Sequence, residues 1–311
     1  MRLRTRILDA TIDGVTDAAT ALLAGELVAF PTETVYGLGG DATNAQAVAK
    51  IYEAKGRPSF NPLIVHVPSL DAAREYADFP IWAERLADAF WPGALTLVLP
   101  SKGVLPEIVS AGLPDLAIRV PAHPLALALL KQIGRPLAAP SANSSGRVSP
   151  TTADHVMEGL KGRIAGVLDG GATQVGVEST IIGGPEPMLL RPGGIPVEAI
   201  EAAIGEPVPA AQTAEKPTAP GQLASHYAPE AAVRLNVSAA KESEVHLGFG
   251  PVKGDVTLSA AGDLREAAAN LFAMLRDLDT DGRNIAIAPI PDTGLGVAIN
   301  DRLKRAAAPR D

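Results

Sequence analysis

Residues 52–66 read YEAKGRPSFNPLIVH and place two cations, an amide and a histidine on a stiff connection between a helix and a strand. Pro58 pushes Arg57 toward extended backbone, and Pro62 does the same to Asn61. A stiffened loop carrying Lys55, Arg57 and Asn61 is pre-organised to hold phosphate oxygens. Lys55 also has a plainer reading. Gly56 suits the left-handed position that closes a helix, and a cation in the last turn complements the helix dipole. His66 ends the apolar run LIVH and reads equally as a core histidine satisfied by a backbone carbonyl. Arg119 sits in LAIRV, and an arginine in an apolar strand is rarely buried alone. Its partner is either an internal carboxylate or a ligand carboxylate held bidentately.

A second constellation is SANSSGRVSPTT at 141–152, between the apolar run PLAAP and a helix starting near Thr152. Hydroxyls and an amide lead into a helix N-terminus, where backbone N–H groups and the dipole attract anions. The plain alternative is a polar loop with an N-cap at Thr151 or Thr152. PTETVYG (31–37) and VEST (177–180) each set hydroxyls beside a glutamate; alone, either is a turn. No GxxxxGK[ST] loop occurs, and GLGGDA (37–42) is not a dinucleotide fingerprint.

Composition narrows the chemistry. The chain has 311 residues, 47% apolar and 20% charged, enough for two domains with sizeable cores. With no cysteine, thiolate nucleophiles, disulfides and cysteine-based zinc sites are excluded. Five histidines without a His-Glu-x-x-His pair give no sign of a dedicated metal site. A net charge of −8 argues against broad, salt-driven nucleic-acid binding, but not against a small anion gripped by local cations. No apolar run reaches the ~18 residues of a membrane span, and the N-terminus lacks the apolar core of a secretory signal. A cytoplasmic protein is the simplest expectation.

The elements that must position these groups alternate. Strands are predicted at 27–32, 63–67, 95–100, 116–120, 136–140, 166–169 and 179–182. Helices are predicted at 44–55, 69–78, 81–90, 123–133, 152–161 and 196–204. The pattern predicts an α/β domain over 1–205, and uneven spacing with Pro-rich turns favours a twisted mixed sheet over a parallel one. Residues 206–229, rich in Ala, Pro and Thr, read as a semi-rigid linker, although Gln222, His226 and Tyr227 make its end less bland. Beyond it, AVRLNV, EVHLGFG and NIAIAPI read as strands. DLREAAANLFAMLRDLD is an amphipathic helix and LGVAINDRLKRAAA a second, so 230–311 forms a small α/β domain.

In order, PTETVYGLG, KGRP with NPLIVH, SAN with SP, VESTII and LRPG resemble the YrdC/Sua5 family. HYAP and the C-terminal α/β unit resemble its longer, Sua5-type members. The resemblance covers nearly the whole chain. It implies a YrdC-like sheet with a small Rossmann-like second domain. It also implies L-threonylcarbamoyladenylate synthesis from L-threonine, bicarbonate or CO2, and ATP, with Mg²⁺ accompanying ATP and no protein-made metal cage. The product would pass to a tRNA threonylcarbamoyl-transfer enzyme, with direct tRNA binding weak or absent. Matching the motifs gives Lys55 and Arg57 the ATP phosphates and the catalytic role, with Asn61 nearby. Asn143, Ser149, Thr151 and Arg191 join the nucleotide, and Tyr227 closes over it, which turns the linker into a lid. Thr34, His66, Arg119, Ser141 and Ser179 would surround the threonine. The chain departs from the family at Gln222, Leu223 and Ser225, where a methionine and cations are common, and at Asp115, where a hydroxyl is usual. An RNA-binding module and a carbamoyltransferase using carbamoyl phosphate are the rival readings. Aromatics at 4% and the acidic balance speak against the first.

Overall fold

The structure, a computed structural model, describes residues 4–211 and 227–308. Gln222, Leu223, Ser225 and His226, and most of the predicted linker, lie outside the described residues. The first sheet is built from β1 (Arg6–Leu8), β2 (Val28–Phe30), β3 (Gly37–Asp41), β4 (Ile64–His66), β5 (Leu95–Pro100), β6 (Asp115–Arg119), β7 (Leu137–Ala138), β8 (Gly166–Leu168), β9 (Thr180–Gly183) and β10 (Met188–Arg191). Their spatial order is β1-β8-β2-β3-β7-β4-β6-β5-β9-β10. Parallel pairs such as β4 with β6 alternate with antiparallel ones such as β5 with β6, so the sheet is mixed, as the irregular spacing predicts. The sequence reading omits β1, β3 and β10. It also overextends the helix at 69–78, which ends at Ala73 before the chain turns to bridge Ala77 with Ser101.

Two registers matter most. His66 on β4 stands directly beside Arg119 on β6. Leu95 on β5 pairs with Thr180 on β9, which sets Ser179 next to Thr96. The helix before β4, Ala45–Lys55, is capped by the Asn44 side chain and closed by Gly56 at φ 61°, the left-handed conformation that glycine adopts without steric cost. Val48, Ile51 and Tyr52 on its buried face pack into the main core with Leu63 and Val65. Thr152 caps the helix Ala153–Leu160.

A second, parallel sheet contains β11 (Val233–Arg234), β12 (Glu244–Gly248), β13 (Val256–Thr257) and β14 (Asn284–Ile287) in the order β11-β14-β12-β13. Helices Leu264–Asp279 and Leu295–Ala306 cover it, giving a small α/β unit. The two units share apolar packing: Val35, Val148 and Val177 join the cluster that holds Tyr227, Phe272 and Leu271. Before residue 212 the chain continues past the helix Val197–Ile204 and bridges Leu189 on β10 through Ala210. Among the described residues no helix is long and apolar enough to cross a membrane.

Candidate active site

One cavity gathers side chains from eight separated segments. Thr34 follows β2, Arg57 lies on the Gly-Arg-Pro loop, His66 and Arg119 stand on β4 and β6, Ser141 follows β7, and Ser179 precedes β9. Arg191 on β10 and Tyr227 complete the wall, with Glu178 between them. The cavity is narrow, with a volume of about 50 Å³.

Arg57 is buried, not the solvent-facing loop cation that its sequence context implies. Its Nε donates to the Asn61 carbonyl at 3.1 Å, and Nη2 donates to Asn61 Oδ1 at 2.7 Å and the Pro62 carbonyl at 2.8 Å. These bonds fix the guanidinium without a carboxylate. Burial lowers its pKa to about 10, so it remains cationic at neutral pH. Asn61, 0% exposed, keeps a buried Nδ2 with no hydrogen-bond partner among the described residues.

Arg119 pairs with an internal carboxylate. Nη2 pairs with Glu33 Oε1, Nη1 donates to Thr34 Oγ1 at 3.0 Å and Nε to the Gly93 carbonyl at 3.0 Å. Glu33 Oε2 also accepts from the Ala122 amide at 2.9 Å. Burial opposes ionisation of Glu33, but Arg119 and that amide outweigh it and hold its pKa below the usual carboxylate range. His66 Nδ1 donates to the Ile64 carbonyl at 3.2 Å, the backbone-satisfied arrangement. That bond assigns the proton to Nδ1 and leaves a lone pair on Nε2. Burial, reinforced by Arg119, drives the imidazole pKa down to about 3, so the ring is neutral.

Lys55 does not line the cavity. Its Nζ lies beneath the 141–147 loop and donates to the carbonyls of Ser141 and Asn143, both at 2.5 Å. Burial and the nearby Arg57 lower its pKa well below the normal lysine value. Asn143 is also turned into its own loop: Nδ2 donates to the Ser144 and Arg147 carbonyls at 2.9 and 2.8 Å, while Oδ1 stays buried without a partner among the described residues. Ser149 sits behind Glu178 and donates to Oε1 at 2.5 Å. Thr151 lies farther back, against His155 at 3.3 Å. So Lys55, Asn61, Asn143, Ser149 and Thr151 form a layer behind the lining, and the other predicted residues meet in it.

Arg191 Nη2 donates to the carbonyl and hydroxyl of Ser179 at 2.8 and 3.3 Å. Gly193 makes that approach possible, because a Cβ there would lie 2.3 Å from the Ser179 carbonyl carbon. Ser179 Oγ also shares a hydrogen bond with Thr96 at 2.7 Å. Tyr227, at φ 61°, is buried and stacks on Phe272 with ring centroids 5.7 Å apart. Sequence reading missed Glu33, Glu178, Thr96 and Arg302. The glutamates stood beside the hydroxyls already noted in PTETVYG and VEST. Arg302 fell within the apolar stripe of the last helix, between Ile299 and Leu303, and that was its signal.

Known proteins of similar sequence and fold identify the family. Residues 20–193 match a family model described as telomere recombination (Sua5, YciO, YrdC), and 195–308 match one described as threonylcarbamoyl-AMP synthase, C-terminal domain. The chain is 43% identical to threonylcarbamoyl-AMP synthase of Pyrococcus abyssi, covering 94% of each protein. It is 46% identical to that of Bacillus subtilis, over 95% of this chain and 93% of the relative. A crystal structure of P. abyssi Sua5 complexed with L-threonine superposes with a TM-score of 0.89 at 41% identity, over 97% of both chains. Escherichia coli YciO, at 20% identity and a TM-score of 0.55 over 62% of this chain, shares the fold of the first unit. The chain therefore belongs to the Sua5/YrdC family of threonylcarbamoyl-AMP synthases.

Proposed function

We propose that the cavity aligns a carboxylated L-threonine with ATP and forms threonylcarbamoyl-AMP and pyrophosphate. The observation that carries this reading is the convergence of Arg57 and Arg191 with Thr34, His66, Arg119 and Ser179 in one narrow cavity. The threonine amine adds to CO2, loses a proton and becomes a carbamate. A carbamate oxygen then bonds to the α-phosphorus while the bond to the bridging oxygen breaks, and pyrophosphate leaves. No covalent enzyme intermediate is needed, so alignment, charge neutralisation and exclusion of water are what the residues must supply.

Arg57, held by carbonyls rather than by an acid, would neutralise the phosphates together with Arg191. Asn61 Nδ2 and Asn143 Oδ1 are buried polar atoms without partners among the described residues, which is a reason to place the nucleotide within their reach. Lys55 would act by holding Ser141 and Asn143 in place, and Ser149 and Thr151 by bracing the nucleotide side. For threonine, Arg119 would offer its remaining N–H groups to the carboxylate, already oriented by Glu33. Neutral His66 would accept through Nε2, with Thr34, Ser141 and Ser179 as hydroxyl neighbours. Mg²⁺ would travel with ATP. Among the described residues no group of three or more His, Asp or Glu could hold a metal ion, and Glu33 and Glu178 each pair with an arginine. The ion would therefore rest on the phosphates, whose charge it would neutralise.

Residues 206–229 would serve as a lid that Tyr227 anchors, between a catalytic domain at 1–205 and a second domain at 230–311. The anhydride product is prone to hydrolysis, so its consumer in the cytoplasm would be an enzyme that transfers the threonylcarbamoyl group to tRNA, with little tRNA bound here. Pyrophosphate release measured with each substrate omitted in turn tests the reading. Release should need ATP, threonine and bicarbonate together. Release from carbamoyl phosphate without bicarbonate would favour a carbamoyltransferase, and tight tRNA binding without release would favour an RNA-binding module.

A further inference from the structure

We infer that Arg302, on the last helix of the second unit, is a positioning residue that neutralises Glu178 and thereby keeps the cavity receptive to a nucleoside triphosphate. Arg302 is fully buried. Its Nε donates to Glu178 Oε2 at 2.7 Å and Nη2 to the Pro192 carbonyl at 3.0 Å, both in the first unit. Nη1 pairs with Asp301 at 2.5 Å, and the guanidinium carbon lies 5.1 Å from the centre of the Tyr227 ring. Glu178 is the link to the site. It lines the cavity, and its other oxygen accepts from Ser149 at 2.5 Å.

A buried carboxylate without a cation is costly, and beside an incoming triphosphate it also repels. Arg302 removes that charge from the far side, where it makes no contact with the cavity itself. Arg57 and Arg191 then face the ligand without a net acid among them. The same guanidinium lies over the ring of Tyr227, which also stacks on Phe272, so one side chain of the second unit sets both the charge and the wall of the site. The second unit would thus act on the site in the first through a specific charge pair.

This inference rests on the nucleotide reading above. The test is Arg302→Met, Glu178→Gln and their combination, with binding of magnesium-ATP by calorimetry and KM for ATP and threonine from pyrophosphate release. Arg302→Met should weaken ATP binding roughly 10- to 100-fold, as an unpaired charge a few ångströms away would. The KM for threonine should change little. Adding Glu178→Gln should restore most of the ATP affinity, because the repelling charge is then gone. A double variant as impaired as Arg302→Met would overturn the inference and leave Arg302 a packing residue. If Arg302→Met does not fold, Glu178→Gln alone decides: ATP should bind at least as tightly as to the wild type, and a tenfold loss refutes the idea. Wild-type protein that binds magnesium-ATP but releases no pyrophosphate would defeat the synthase reading, and the binding arm would still judge Arg302.

Discussion

Replacing Lys55 with methionine separates a phosphate ligand from a loop clamp. The wild-type ammonium satisfies two carbonyls, of Ser141 and Asn143, at 2.5 Å each. Methionine fills similar volume and leaves both acceptors buried, at about 1–3 kcal/mol apiece. The variant also escapes the several kcal/mol of burying an ammonium, so the net loss should be about 1–3 kcal/mol. Urea unfolding followed by fluorescence measures this directly. Burial depresses the lysine pKa below 10.5, so the unfolded chain binds more protons between the folded and unfolded values. Wild-type stability should therefore rise with pH through that window, and the variant should lack this slope. Activity should fall strongly because Ser141 shifts, even at saturating ATP, and the amides of 144–147 should exchange faster with deuterium. A variant with unchanged stability and exchange but a higher KM for ATP would refute the clamp and return Lys55 to the phosphates.

Three further outcomes follow from the site. Arg119→Met should destabilise the protein by about 3–5 kcal/mol at pH 7, because Glu33 loses its cation, and part of that loss should vanish at lower pH as the unpaired Glu33 takes a proton; an unchanged urea midpoint would contradict the pairing. His66 should stay neutral by NMR from pH 5 to 8, since its pKa is near 3; because the unfolded chain binds the proton more readily, His66 should favour unfolding as pH falls from about 6.5 toward 3, and a midpoint near 6.5 would contradict its burial. Arg57→Ala should lower both turnover and stability, the latter by about 1–3 kcal/mol, since it leaves Asn61 Oδ1 and the Pro62 carbonyl without their donor; full stability with lost turnover would show those bonds to be dispensable.

Much of the site was readable because polar residues stood where apolar ones belong. His66 and Arg119 interrupt β-strands, and only the parallel register of β4 and β6 reveals that they are neighbours. Arg57 was readable as a cation on a stiff loop, but not as buried, because its acceptors are backbone carbonyls that any residue carries. Lys55 illustrates the same blindness: its partners lie 86 and 88 residues away, at main-chain oxygens. The strand Gly37–Asp41 escaped because GLGGD has almost no strand propensity, and tertiary pairing with β2 and β7 makes it one. Arg302 was readable as a cation in an apolar stripe, but its partner Glu178 lies 124 residues away and no local pattern names it.

The most direct trial of the shared cavity is a crystal structure with L-threonine and a non-hydrolysable ATP analogue. The threonine carboxylate should meet Arg119 with His66 and Ser179 nearby, and the phosphates should meet Arg57 and Arg191 with the α-phosphorus facing the amine. Ligands bound on separate surfaces, or a triphosphate that touches neither arginine, would contradict the account.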